Sequence, residues 1–389
     1  MLAGYEYELY EIPPNSVREF LTSGDFDGLN VTIPYKKTVL PLCKTLSDAA
    51  RRTGSVNTII RNGDGTLHGE NTDYYGFKFL LDRAGADVRG KKSLILGNGG
   101  AASAVRAVLE DGRAGEIVTI SRGGQDNYGN IVKHSDARIV INTTPVGMYP
   151  ENGVSPVSPD IFKSCEAVID VIYNPSKTEL MLQAEDLAIT CIGGLYMLVA
   201  QAKRACELFT GANIRDAVIE GIAEKIGGKI KNIALIGMPG CGKTTVGGRL
   251  AELTGREFYD IDEMIRIRAG KPAERLLADV GEEAFRDIEE AELKEVSKKS
   301  GCVVATGGGT VKREANRRRL RQNSIIVYLD RPAGELPSAG RPLSVQYGVD
   351  ALYRERAPLY SEWCDFRIPT GDGAEETARA VLKVLSVEC

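Results

Sequence analysis

The stretch "GMPGCGKT", Gly237 to Thr244, has the spacing Gly-x4-Gly-Lys-Thr. Glycines let successive backbone amides turn toward phosphate oxygens, a lysine adds a point charge at the β- and γ-phosphates, and a threonine hydroxyl can complete a Mg2+ shell. An apolar run, "IALIG", precedes it, and Val246, Leu250 and Leu253 fall on one helical face after it. That strand–loop–helix setting makes it a nucleotide-phosphate site, with Gly240, Cys241, Gly242, Lys243, Thr244 and Thr245 as the ATP contacts and Mg2+ at Thr244. Asp260 and Asp262 follow in "REFYDID", two apart on an extended run and so on one face. One carboxylate can serve the metal while the other takes a proton from an attacking hydroxyl. On its own such a pair is more often a cap or a turn. Further on, Arg286 and Glu289 lie three apart on a helical stretch, and Gly307 to Gly309 follow an apolar run, exposing backbone where a ligand must come close.

A second constellation lies upstream. "LILGNGGAASA" places Gly97, Gly99 and Ala102 in a G-x-G-x-x-A turn between a strand and a helix, with Gly100 and Ala101 opening the helix. A lone fingerprint of this kind is weak, but the strand–turn–helix context is the one a dinucleotide needs. After the next strand, "IVTISRGG" offers Ser121 and Arg122 where an NAD site would carry an acidic residue. Arginine there favours a 2′-phosphate, hence NADP. Lys36, taken singly, reads as a solvent-facing lysine.

These residues need elements to hold them. "YEYELYEI", "GLNVTIP" and "SVNTIIR" read as strands, and "EIVTIS", "ARIVINTT" and "EAVIDVIY" alternate with helical stretches, which implies parallel α/β sheet. A helical pattern from Met197 to Ile226 ends at Gly227-Gly228, where the main boundary is placed, and "IALIG" opens a second α/β unit. "REANRRRLRQ" reads as a solvated helix face. The 389 residues fit two or three domains, and 43% hydrophobic with 26% charged residues is the balance of a globular chain. A formal net charge of −4 gives no support to nucleic-acid or membrane-surface binding. The eight cysteines show no CxxC pairing, the start has neither a basic nor an apolar leader region, and no run reaches membrane-span length. A cytoplasmic protein with reduced thiols is expected, with small-molecule partners and no protein partner identifiable.

From about Lys231 onward, GxxGxGKT, DxD, FRxxE, GGG, then "RPL" and "RAPLY" occur in order, and the segment resembles shikimate kinase. The resemblance implies that Asp262 holds a shikimate hydroxyl and acts as base, and that Asp260 lies near Mg2+. It implies that Arg286 and Arg356 clamp the shikimate carboxylate, that the Gly308 amide donates to substrate, and that Arg341 closes over ATP from a lid. The segment between Asp330 and Arg341 is short and holds Pro332, Pro337 and Gly340, a departure that bears on the lid's reach.

"GLNVTIPYKK", "GSVNTI", "GENTDYYG", "NTTPVGM" and "GGLYMLVAQA" occur in an order that resembles shikimate dehydrogenase over most of residues 1 to 228. That resemblance implies Lys36 and Asp73 as the acid/base pair at the reduced carbonyl of 3-dehydroshikimate, and Thr32, Asn57, Tyr173 and Gln201 as substrate contacts. A hydride added to a ketone leaves an alkoxide, and a nearby proton donor suits it. The expected architecture is α/β: a two-lobed dehydrogenase with a substrate lobe at 1–75 plus 190–228 and a Rossmann-type NADP lobe at 76–189, then a P-loop kinase with a parallel sheet at 229–389. The chain opens at what reads as the family's second strand, so the "HSxSP"-like serines that bind the substrate carboxylate have no counterpart. Two functions follow as alternatives. One is a bifunctional enzyme making and then phosphorylating shikimate, and the other is an active kinase behind a binding or scaffold module. Quinate in the first half, or another small polyol or acid or a nucleotide as the kinase's acceptor, are further options.

Overall fold

The structure, a computed structural model, describes residues 6–337, 347–371 and 373–385. The chain divides into two units. The first comprises the residues up to Gly147 with Val154–Tyr173 and Gln183–Glu224; the second comprises Met148–Gly153, Asn174–Leu182 and the chain from Lys225.

In the first unit, α1 (Val17–Ser23) and α2 (Asp48–Thr53) accompany a four-stranded sheet of β1 (Gly28–Asn30), β2 (Thr45–Leu46), β3 (Thr58–Arg61) and β4 (Leu67–Glu70) in the order β1-β3-β4-β2. β1 and β4 both run antiparallel to β3, with Gly28 opposite Ile60, and β2 runs parallel to β4. Val17, Leu21, Val39, Ala50, Val56, Ile59 and Leu67 form its core. α3 (Thr72–Arg83) leads into a fully parallel sheet of β5 (Lys92–Leu96), β6 (Glu116–Ile120), β7 (Ile139–Asn142), β8 (Ala167–Asp170) and β9 (Thr190–Gly193), ordered β6-β5-β7-β8-β9. α4 (Gly100–Asp111) joins β5 to β6. β7 and β8 are buried along their whole length, which is why "IVIN" and "AVID" read as continuous apolar runs rather than alternating ones. α5 (Glu179–Asp186), which begins in the second unit and ends in the first, and α6 (Leu195–Thr210) follow. α3 packs on α6 through Gly76, where a Cβ would lie 2.7 Å from the Met197 carbonyl oxygen and 3.2 Å from Gln201 Cβ.

The second unit carries β10 (Asn232–Ile236), β11 (Phe258–Asp260), β12 (Val303–Ala305), β13 (Ser324–Asp330) and β14 (Phe366–Pro369), all parallel in the order β11-β12-β10-β13-β14. α8 (Lys243–Thr254), α9 (Ile261–Ala269), α10 (Ala273–Ser297), α11 (Glu314–Asn323) and the helices Val349–Trp363 and Ala374–Val384 surround a core that includes Leu235, Leu250, Val303, Val327 and Tyr360. α10 is interrupted at Gly281, whose φ of 81° and ψ of 168° lie outside helical space.

Four sequence expectations change. "YEYELYEI" predicts a strand, but residues 6–12 have no strand assignment, and Tyr7, Leu9 and Tyr10 are 57%, 90% and 52% exposed. A period of two marks a face, whereas a strand also needs a neighbour to take its ladder bonds. Here the contacts are made by side chains: Tyr7 Oη donates to Asn30 Oδ1 at 3.2 Å, and Tyr10 packs on Phe20 with ring centroids 5.1 Å apart. Gly227-Gly228 do not stop the helix, for α7 (Ala217–Ile230) runs through them and Lys231 N–H still donates to the Gly227 carbonyl at 3.1 Å. Neither glycine takes the left-handed conformation that ends a helix. The arginines of α11 are paired rather than merely solvated: Arg317 to Glu362 at 2.7 Å, Arg318 to Glu179 at 2.8 Å and Arg319 to Glu290 at 2.9 Å. The division into units also differs from the sequence partition, because Met148–Gly153 and Asn174–Leu182 group with the second unit. There Asn152 Nδ2 donates to Gln322 Oε1 at 3.0 Å and Ser176 Oγ to the Gln322 carbonyl at 2.9 Å.

Gly76→Ala tests the tight α3–α6 approach. The added methyl should destabilise the first unit by about 1–3 kcal/mol, read as a lower urea midpoint.

Candidate functional site

The first site is built at the start of α3. The Asn71 side chain caps that helix, accepting from Tyr74 N–H at 3.3 Å. Its amide donates to Thr53 Oγ1 at 2.9 Å and to the Ser55 carbonyl at 3.0 Å, which fixes where the helix begins. Asp73, in the first turn, is thereby held in a buried position and meets Lys36, Nζ to Oδ2 at 2.6 Å. One residue beyond Val56, Asn57 organises the same corner. Its Oδ1 accepts from Thr72 N–H at 2.7 Å, and its amide faces Gln201 Oε1 on α6 at 3.5 Å. Lys36, Asp73, Asn57 and Gln201 thus come together. Thr32 and Tyr173 are both exposed, and neither bonds through its side chain to these four among the described residues.

The glycine turn adjoins this corner. Gly97 has a φ of 101°, and a Cβ there would lie 2.9 Å from Thr143 Oγ1, so only glycine lets β5 turn this closely beside β7. Gly99 opens α4 without a side-chain cap, and Gly100 and Ala101 form its first turn, leaving amides free to face an anion. A Cβ on Gly100 would sit 3.7 Å from Lys36 Cδ, so the lysine stem runs directly past the helix start. Arg122 follows β6 on an exposed loop beside Tyr128, whose phenol is pushed up by burial and drawn back by the arginine.

Sequence reading missed a buried pair at the carboxyl ends of β7 and β8. Asn142 Nδ2 donates to both Asp170 oxygens, at 3.1 and 3.2 Å, and Asp170 Oδ1 accepts from Ile172 N–H at 3.0 Å. Asn142 Oδ1 accepts from Thr144 N–H at 3.0 Å. The asparagine of "NTTPVGM" and the aspartate of "VIDVIY" were the available signal, a polar residue closing each apolar strand.

The second site forms around three loops. In the phosphate loop Gly240 and Gly242 take φ of 84° and 100°, and Gly242 opens α8. Lys243 is buried, and its Nζ donates to the carbonyls of Gly237 at 2.9 Å and Met238 at 3.0 Å. Thr244 Oγ1 donates to Asp260 Oδ2 at 2.5 Å, a hydroxyl and a carboxylate side by side at the head of α8, and Asp260 caps α9. Thr245, the next residue, is exposed, whereas Cys241 is buried, its Sγ 2.9 Å from where a Gly237 Cβ would stand.

Gly307 to Gly309 connect everything else. A Cβ on Gly308 would lie 2.5 Å from Pro239 Cγ in the phosphate loop. One on Gly307 would overlap Glu289 Oε1 and stand 3.1 Å from Asp262 Oδ1, and one on Gly309 would overlap the Arg286 guanidinium. The Gly308 carbonyl accepts from Arg356 Nη1 at 3.0 Å and from Tyr360 Oη at 2.5 Å. Arg286 Nη1 donates to the fully buried Glu289 at 2.8 Å, and Thr310 Oγ1 donates to the other Glu289 oxygen at 3.0 Å. Both arginines are buried, and the Nε of each has no hydrogen-bond partner among the described residues. Burial alone would raise the Glu282 carboxyl, but Lys312 and Arg286 hold it below the usual carboxylate value. Asp262, Arg286, Gly308 and Arg356 therefore line one place beside the phosphate loop. Arg341 lies outside the described residues.

The pattern of the shikimate kinase family fits residues 239–386, and that of the shikimate dehydrogenase substrate binding domain fits residues 3–59. The chain is 35% identical over 236 residues to the NADP(+) shikimate dehydrogenase of Clostridium perfringens (strain SM101 / Type A), covering 57% of this chain and 87% of that protein. Among solved structures it is similar to a chorismate mutase/shikimate 5-dehydrogenase fusion protein from Clostridium acetobutylicum, at 33% identity and TM-score 0.52, covering 56% of this chain and 84% of that one. It is also similar to the shikimate kinase from Acinetobacter baumannii in complex with shikimate, at 35% identity and TM-score 0.39, covering 42% of this chain and 97% of that one.

Gly309→Ala places a methyl where the Arg286 guanidinium lies. Acceptor binding should fall at least about tenfold, the scale of one hydrogen bond to a charged group. Nucleotide binding, titrated in the same protein by calorimetry, should hold.

Proposed function

The chain belongs to the shikimate dehydrogenase family and carries a shikimate kinase domain behind it, and from that premise we propose that the two sites catalyse consecutive steps. The first unit interconverts 3-dehydroshikimate and shikimate with NADP(H), and the second phosphorylates the 3-hydroxyl of shikimate with ATP. The observation that carries the second assignment is the convergence of Asp262, Arg286 and Arg356 on Gly307–Gly309 beside the phosphate loop.

In the kinase unit, two buried guanidinium groups suit a planar carboxylate, which each can meet with paired N–H donors. Clamped there, shikimate presents a hydroxyl to Asp262, which takes its proton as the oxygen attacks the γ-phosphorus of ATP and the bond to the β,γ-bridging oxygen breaks, releasing ADP. Lys243 leaves the Gly237 and Met238 carbonyls for the phosphates, and the Gly308 amide steadies the acceptor. Thr244 and Asp260 form an oxygen donor set that fits Mg2+, which would neutralise phosphate charge when bound. Arg341 is assigned to close over the nucleotide.

In the dehydrogenase unit, NADP(H) supplies the hydride. The amides of Gly99, Gly100 and Ala101 suit its pyrophosphate, and Arg122 suits its 2′-phosphate. Lys36 gives a proton to the alkoxide oxygen that hydride addition creates, and Asp73 holds the ammonium in place and takes up charge in the reverse direction. Asn57 and Gln201, with the exposed Thr32 and Tyr173, hydrogen-bond the substrate.

Lys36→Met and Asp73→Asn should each slow shikimate-dependent NADP+ reduction by about 10²–10⁴-fold while ATP-dependent phosphorylation continues. Wild-type protein that binds NADP+ without turning shikimate over would instead make the first unit a binding module. Arg286→Ala should raise the shikimate KM of the kinase by about 10–100-fold, the scale of losing a charge-assisted bond. An unchanged KM would withdraw the carboxylate clamp.

A further inference from the structure

Lys312 has no part in the chemistry just described, yet its position is unusual. It lies in "GGGTVKRE", three residues beyond Gly309, and its Nζ contacts two carboxylates, Glu282 Oε1 at 3.0 Å and Glu355 Oε1 at 3.3 Å. Each of those carboxylates also stands within ion-pair distance of one of the two buried arginines. The same Glu282 Oε1 is 3.5 Å from Arg286 Nη2, and Glu355 Oε2 is 4.0 Å from Arg356 Nε. One ammonium therefore bridges two acids, and each acid neighbours a different guanidinium.

An arriving carboxylate must compete for those guanidinium groups with the acids already beside them. Glu289 is fully buried and bonds Arg286 along its inner edge, so it orients that group permanently. Glu282 and Glu355 are partly exposed, at 31% and 47%, and their contacts with the arginines are long. They have the freedom to swing onto the arginines if nothing else holds them. At these separations and this exposure, a single unit charge shifts such a balance by about fivefold, enough to matter for binding.

We propose that Lys312 is a positioning residue that keeps the acceptor clamp available: by holding Glu282 and Glu355, it leaves N–H donors of the buried Arg286 and Arg356 guanidinium groups for the carboxylate of the acceptor. This rests on the reading of Arg286 and Arg356 as that clamp. It makes Lys312 a determinant of affinity for carboxylate-bearing acceptors, acting through two glutamates and touching neither acceptor nor nucleotide.

The test is a steady-state cycle on the full chain. Lys312→Met should raise the shikimate KM about 5–20-fold, with the saturating rate and the KM for ATP changing less than about twofold. Lys312→Arg should retain most of the affinity. Adding Glu282→Gln to Lys312→Met removes the acid that would close on Arg286, and should recover at least half of the lost affinity in logarithmic terms. A merely structural lysine would lower rate and affinity together, and a second lesion would not repair it. An unchanged shikimate KM in Lys312→Met, or no recovery in the double variant, overturns the proposal. Arg286→Ala run alongside separates the two readings: if it too leaves the KM unchanged, the clamp itself is wrong, and if it raises the KM while Lys312→Met does not, only the role of Lys312 falls.

Discussion

Three consecutive residues without side chains set the geometry of the second unit. Gly307, Gly308 and Gly309 bring backbone against the phosphate loop, Asp262, Glu289 and the Arg286 guanidinium, and at none of the three is there room for a methyl group. A proline ring of the nucleotide loop packs on the middle one, and its carbonyl takes bonds from Arg356 and Tyr360. Donor side and acceptor side are therefore referenced to the same short length of chain. Their spacing does not depend on side-chain torsions, and that is the kind of rigidity an in-line transfer needs.

The first unit solves a similar problem with closeness of helices. Gly76 lets α6 approach α3, so that Gln201 and Asn57 reach one another, and Asn71 fixes the first turn in which Asp73 stands. Gly100 lets the Lys36 stem pass the start of α4. The Lys36–Asp73 pair and the glycine turn are thus neighbours because small residues occupy the contacts between them. In both units the reactive side chains are ordinary; their placement is set by positions where a side chain is missing.

Much of this was legible in the sequence, for physical reasons. The phosphate loop and the glycine turn are local patterns, because each chemistry is done by neighbours along the chain; the Asp pair was read as one face of an extended run, whereas the strand ends at Asp260 and Asp262 stands in the first turn of α9. The parallel strands β7, β8 and β10 announced themselves as apolar runs, since both faces are covered. What could not be read depends on partners distant in sequence. The alternation in residues 6–12 marks a face but not a pairing strand. Gly227-Gly228 looks like a stop, yet helical dihedrals are open to glycine when the turn continues. The ionic partners of α11, Glu179, Glu290 and Glu362, come from three separate segments. Asn142 with Asp170 went unnoticed because a polar residue closing an apolar strand does not name its partner; only adjacent strand ends in a folded sheet bring them together.

The break in α10 has a consequence for how this enzyme could be redesigned. Gly281 adopts a backbone shape that side-chain-bearing residues avoid. It splits one long rod into a short arm, Ala273–Val280, and a fixed beam that begins at Glu282 and carries both Arg286 and Glu289. Substitutions along the arm leave the Arg286–Glu289 pair in its own segment, whereas substitutions along the beam act on that pair directly. A laboratory seeking a kinase for a different hydroxy acid has its freedom on the near side of that joint and very little on the far side.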